Sequence, residues 1–118
     1  MKDYPDKMTM EQARRFGDDV LNIVSQIPRG KVTTYGDIAR TLCAPRSSRA
    51  VGYALHVNPK PVEYPCHRVV NRFGRLAPAF AFGGEQVQRS LLESEGVEVS
   101  DDFCVDLSIY GFHPSAKE

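Results

Sequence analysis

In the first quarter of the chain, apolar residues fall at Phe16, Val20, Ile23, Val24 and Ile27, spacings of three and four that share one helical face. Thr9 with Gln12 three residues later has the form of a capping box, so the pattern predicts an amphipathic helix over about Thr9 to Gln26. Pro28-Arg29-Gly30 ends it. Lys31 to Thr33 reads as a short extended piece, and Thr34 as the N-cap of a second helix buried through Ile38 and Leu42. A loop through Ala44-Pro45-Arg46 leads to Ser47, the expected N-cap of a third helix with the stripe Val51, Ala54 and Leu55, which Asn58-Pro59 stops. Two short helices joined by a turn form a helix-turn-helix pattern, with Arg49 in the first turn of the second. Such pairs also occur in helical domains that never touch DNA, so the pattern alone leaves both readings open.

Beyond Pro59 the period changes. Lys60 to Pro65 is proline-rich and predicts an ordered loop, Arg68-Val69-Val70 a short strand, and Phe73-Gly74 a turn. After Gly83-Gly84, Val87, Leu91 and Leu92 mark a helix that Gly96 terminates, and Val97 to Val99 with Phe103 to Val105 predicts a small hairpin. The expected fold class is α+β: a mainly helical single domain over 1–118, with a helix-turn-helix (winged-helix-like) and a few short strands, frayed at about 1–8 and 115–118. A chain of 118 residues supports one core rather than two.

Composition narrows the function classes. No apolar run approaches the ~20 residues of a membrane span, and Met1 to Lys7 has no apolar centre that would serve as a secretory signal. A cytoplasmic protein with no membrane partner is expected. Cys43, Cys66 and Cys104 are an odd number, widely spaced and without a C-x-x-C unit, which argues for free thiols and against a metal site. The formal net charge is zero, yet between Pro28 and Arg75 nine basic residues face two acidic ones, while the flanks hold six basic and thirteen acidic. Segregated charge of this kind attracts a polyanion to one side of a molecule.

The chemistry concentrates at Pro65-Cys66-His67-Arg68-Val69. A soft nucleophile stands beside a base and a permanent cation, and a nearby His⁺ or Arg is expected to lower the thiol pKa toward neutrality. An unpaired cysteine is otherwise a small buried hydrophobe, the reading given to Cys43 and Cys104.

These residues resemble the DNA-binding domain of the O6-alkylguanine-DNA alkyltransferases and their short relatives, the alkyltransferase-like proteins. The likeness runs from about Phe16 to Gly96 and includes Gly30-Lys31-Val32-Thr33-Thr34-Tyr35-Gly36-Asp37-Ile38-Ala39, Ser48-Arg49-Ala50-Val51-Gly52-Tyr53-Ala54-Leu55, Asn58-Pro59 and Leu91-Leu92-Glu93-Ser94-Glu95-Gly96. The amino-terminal domain of many full-length transferases has no counterpart in the match, as in the short relatives. The resemblance implies that Cys66 accepts the alkyl group, that His67 is a base acting through a water, that Glu95 orients His67, and that Asn58 braces the site. It implies that Tyr35 crowds the target phosphate, that Arg49 fills the space of a flipped base, and that Ala50, Gly52 and Ala54 allow close approach to the minor groove. Arg68 is also expected at the DNA.

Two features pull apart. Ala81-Phe82-Gly83-Gly84 stands where the transferases usually carry Tyr-Ser-Gly-Gly, and the run Gly84 to Arg89 and the tail Val105 to Pro114 are more like the alkyltransferase-like proteins. Those proteins typically replace the acceptor cysteine with Trp or Ala, whereas Cys66 is retained. The resemblance therefore implies recognition of O6-alkylguanine in double-stranded DNA by nucleotide flipping, with single-turnover transfer to Cys66, by a monomer without cofactor or metal. A non-catalytic lesion sensor that hands the site to other repair proteins is the alternative. A sequence-specific helix-turn-helix regulator is the second.

Overall fold

The computed structural model describes residues 9–78 and 80–115. The fraying expected at the two ends lies outside these residues except at Ser115, which is exposed and irregular.

Helix α1 spans Met10–Val24, with both halves of the capping box made. Thr9 Oγ1 accepts from the Gln12 amide at 3.0 Å, and Gln12 Oε1 accepts from the Thr9 amide at 2.9 Å, so two of the donors exposed at a helix start are satisfied locally. Strand β1, Thr33–Thr34, runs straight into helix α2, Tyr35–Thr41, because Thr34 both ends the strand and caps the helix through the Asp37 amide at 3.0 Å. Helix α3 spans Ser48–His56. Ser47 occupies its N-cap position but makes no side-chain capping bond, which corrects the expectation. Its backbone lies at φ −107°, ψ 26°, outside the extended region from which a cap hydroxyl normally reaches the N2 or N3 amide.

Residues Cys66–Arg68 form one 3-10 turn, and strand β2, Val69–Val70, follows. Arg68 thus belongs to the turn and not to the strand. β2 pairs in parallel with β1, Thr33 opposite Val69 and Thr34 opposite Val70. The pair divides the interior. Val69 packs with Val20, Ile23, Val24, Ile38, Val51 and Leu55 beneath α1, α2 and α3, whereas Val70 packs with Val32, Leu76, Leu92, Val97 and Val105 on the opposite side. The two-residue alternation of a strand is what sends neighbouring valines into different layers.

Helix α4, Gly84–Ser94, buries Gln88 and Leu92, while Val87 and Leu91 are 38% exposed. The helix marked by Val87, Leu91 and Leu92 is present, and of the three only Leu92 is buried. A helix resting on the core along one row buries i and i+4, and that row is 88 and 92.

The expected hairpin does not form as a strand pair either. Ser100 and Cys104 close a turn, but Cys104 bridges Arg75, and the Val105 and Leu76 amides donate to Gly74 and Phe103 carbonyls, both at 2.9 Å. The turn at Gly74 competes successfully for the backbone groups of 103–105. Helix α5, Leu107–Tyr110, was not anticipated; it returns the chain so that Phe112 and Val32 share a bond of 2.7 Å beside β1. No helix among the described residues is long and apolar enough to cross a membrane.

Candidate functional site at Cys66

Cys66 opens the 3-10 turn between the proline loop and β2, and its side chain is buried at the floor of a cavity of about 80 Å³. Its lining includes Tyr35 from the start of α2, Gly52 and His56 from α3, and Phe80, Ala81 and Phe82 from the segment before α4. Phe80 and Phe82 meet edge to face, their ring centroids 5.8 Å apart. The helix-turn-helix thus forms one side of the cavity mouth and the segment before α4 the other.

Asn58 is buried where α3 gives way to the loop. Its Nδ2 donates to the Tyr64 carbonyl at 2.8 Å, and its Oδ1 accepts from the Lys60 amide at 2.9 Å. Asn58 also acts on Cys66, lowering its pKa. Asn58 thus ties the end of α3 to the loop that precedes Cys66.

Behind Cys66 lies a buried ionic cluster. Glu95, at the C-cap of α4, takes His67 Nε2 at 2.8 Å, Arg68 Nε at 3.0 Å and Arg68 Nη2 at 2.8 Å. Arg68 Nη1 donates further to the Ile27 carbonyl at 2.7 Å, so its guanidinium is committed within the protein. Arg68, expected at the DNA, here turns inward toward the paired carboxylate. Burial pushes the Glu95 carboxyl up, but the Arg68 and His67 contacts outweigh it and hold the pKa at about 2. Burial pushes His67 below the ordinary histidine value, with Glu95 opposing and Arg68 reinforcing the shift. The imidazole is therefore neutral at neutral pH. An ionised Glu95 fixes the proton on Nε2 and leaves Nδ1 as an acceptor.

The thiol departs from expectation. Burial raises the Cys66 pKa, and the bonds from Asn58 and the backbone only partly offset this. Arg68 does not activate the sulfur because its charge is spent on Glu95. Tyr35 is likewise raised, by burial first and by Cys66 second, so both groups hold their protons at rest.

On α3 the helical period sorts the predicted residues. Ala50 and Ala54 are 1% and 3% exposed and pack inward beside Val51 and Leu55, so neither stands on the outer face where close approach was expected. Arg49, Gly52, Tyr53 and His56 are on the outward side, and Arg49 makes no ion pair among the described residues. Tyr53 and His56 were missed in the sequence, although counting the outward positions from Arg49 would have found them. Phe80 and Gln88 were missed as well, and no local pattern marks them. His, Cys, Asp and Glu form no cluster suited to a metal among the described residues.

Similarity to known proteins agrees with this geometry. The family described as "6-O-methylguanine DNA methyltransferase, DNA binding domain" matches residues 15–97. A DNA base-flipping protein of Escherichia coli (strain K12) is 41% identical over 112 residues, covering 92% of this chain and 85% of that protein. A methylated-DNA–protein-cysteine methyltransferase of Methanosarcina acetivorans is 38% identical, covering 81% of this chain and 60% of its own length. The crystal structure of S. pombe Atl1 in complex with damaged DNA containing O6-carboxymethylguanine superposes with a TM-score of 0.79 at 36% identity, covering 91% of this chain and all of that one. With its helix-turn-helix, its Pro-Cys-His-Arg turn and a family match over most of its length, the chain belongs to the 6-O-methylguanine DNA methyltransferase family, in its DNA-binding domain.

Proposed function

We propose that this protein binds double-stranded DNA as a monomer, turns an O6-alkylated guanine out of the duplex into the Cys66 cavity, and accepts the alkyl group on Cys66 once. The observation that carries the reading is the buried Cys66 thiol at the floor of an aromatic cavity, backed by the His67–Glu95–Arg68 cluster. The names of the E. coli relative and of the S. pombe complex support the recognition step. Arg49, exposed in the first turn of α3, is suited to fill the vacated stack, and Tyr35, at the cavity mouth, to crowd the target phosphate. Flipping costs a few kcal/mol of pairing and stacking, least for a base that already pairs badly, so the lesion contributes to its own selection. Free thiols at Cys43, Cys66 and Cys104 suit a reducing cytoplasm.

In the transfer step, the thiol proton passes through a water to Nδ1 of neutral His67 as Sγ attacks the alkyl carbon. The C–O6 bond breaks, its electron pair stays on guanine, and the imidazolium proton returns to the guanine by way of solvent. The products are S-alkyl-Cys66 and guanine, and Glu95 stabilises the transient imidazolium. Because the resting thiol is protonated, deprotonation accompanies attack. Burial keeps the thiol inert until a substrate arrives.

A specific observation favours the non-catalytic sensor instead: Phe80, Ala81 and Phe82 offer the base no side-chain donor. One missing donor at developing charge costs on the order of 10²-fold in rate, which slows transfer without forbidding it. Incubation with an O6-methylguanine duplex and intact mass measurement decides between them. Transfer gives one methyl adduct, mapped to Cys66 and absent in Cys66→Ala, which still binds the lesion. Tight binding with no adduct after prolonged excess of lesion DNA makes the protein a sensor, and equal affinity for undamaged DNA overturns both.

A further inference from the structure

Gln88 is a polar side chain with zero exposure, in the first half of α4 and remote from the solvent that would otherwise satisfy it. Its amide is fully engaged. Nε2 donates to the His67 and Val69 carbonyls, both at 3.1 Å, and Oε1 accepts from the Ala77 amide at 2.9 Å. The first two acceptors belong to the turn and strand that carry Cys66, whereas Ala77 begins the wall that continues through Phe80 and Phe82. That wall is tied at its far end too, since the Gly84 amide, at the start of α4, donates to the Phe80 carbonyl at 2.9 Å.

We infer that Gln88 is a positioning residue that sets the gap between the Cys66 sulfur and the aromatic wall of the base cavity. The inference rests on the reading of that cavity as the site of the flipped base. A buried amide is costly unless every donor and acceptor is met, so the three partners are held at the spacing one glutamine spans. The bonds of His67 and Arg68 to Glu95 hold the turn alone, whereas the Gln88 amide joins the turn and strand that carry Cys66 to Ala77 at the start of the wall. An apolar residue of similar size would fill the space and leave the two loops free to shift apart. Wall and nucleophile have to move together for the alkyl carbon to meet Sγ, and a 1 Å misplacement already lowers rates severely.

The test uses Gln88→Met in a Cys43→Ser, Cys104→Ser background, compared with Gln88 in the same background. Three quantities are read: affinity for undamaged duplex, affinity for the O6-methylguanine duplex, and the rate of Cys66 labelling by iodoacetamide without DNA. With the positioning role, undamaged binding stays within twofold because the outer face of α3 is untouched. Lesion preference falls tenfold or more, and iodoacetamide labelling accelerates at least threefold as the turn loosens. A merely structural glutamine would weaken both duplexes by one common factor or change nothing, and either result overturns the inference. Should Gln88→Met not fold, Gln88→Asn retains the amide but is one methylene too short to reach both loops, and the same readouts apply. If the parent shows no lesion preference, the proposed function fails, and the labelling rate alone then decides whether Gln88 holds the turn.

Discussion

Glu95 is the residue on which most of the site's electrostatics turns. Its carboxyl moves from an ordinary 4.5 to about 2 in the folded chain, a difference on the order of 3 kcal/mol between its two protonation states. Because the folded pKa is depressed, that stabilisation is fully present above about pH 4.5 and drains away as pH falls toward 2. Urea unfolding across this window should show wild-type stability declining with acid, whereas Glu95→Gln should lack this part of the slope. At pH 7 the variant should also be about 3–5 kcal/mol less stable, since Arg68 is left buried without its countercharge. An acid profile identical in the two proteins would remove Glu95 from its central place. The neutral His67 has the same sign at higher pH: its pKa is lowered by burial, so acidification through the ordinary histidine range favours the unfolded chain.

At the scale of elements, two glycines separate what the fold needs from what the DNA-facing side needs. Gly74 turns with φ +84°, and a Cβ there would lie 2.1 Å from the Val105 carbonyl oxygen, beside the bond from the Val105 amide to the Gly74 carbonyl that joins 103–105 to 74–76. Gly74→Ala should therefore cost about 2 kcal/mol or more, combining left-handed strain with a backbone clash. Gly52 is in the middle of α3, and a Cβ there meets nothing within 4 Å. Gly52→Ala should raise stability by about 0.5–1 kcal/mol through helix propensity, while weakening duplex binding because the added methyl stands on the outward face beside the cavity. Denaturant midpoints and fluorescence anisotropy with a short duplex measure the two effects separately. Loss of stability at Gly52, or unchanged affinity, would mean that this face of α3 does not meet DNA.

For the molecule as a whole, charge segregation along the chain overstates the charge on offer. Of the nine basic residues between Pro28 and Arg75, Arg40, Lys60, Arg68 and Arg75 pair with carboxylates, and Arg29 and Lys31 donate to the Ser94 and Ile109 carbonyls. Arg46, Arg49 and Arg72 make no ion pair among the described residues. Binding to undamaged duplex should then weaken with salt at a log–log slope of about −3, and not the about −8 that nine phosphate contacts would produce. Titrations over a range of ionic strength measure the slope. A flat dependence would exclude binding through the phosphate backbone, and a slope near −8 would show that the internal pairs open on DNA.

The sequence by itself determined the capped helix α1, the Thr34 junction into α2 and the helix-turn-helix, because local hydrogen bonding and period are properties of neighbouring residues, whereas Glu95 and Asn58 joined Cys66 and His67 only through the family resemblance. Only the tertiary structure decided which face each element presents and which partner each charge takes. Ala50 and Ala54 point inward, Val87 and Leu91 outward, and Cys104 bridges Arg75, because burial and strand pairing are settled by segments distant in the chain. The activation of Cys66 changed for the same reason. Next to it in sequence Arg68 is a cation, but in space that cation belongs to Glu95, 27 residues away, and the thiol keeps its proton.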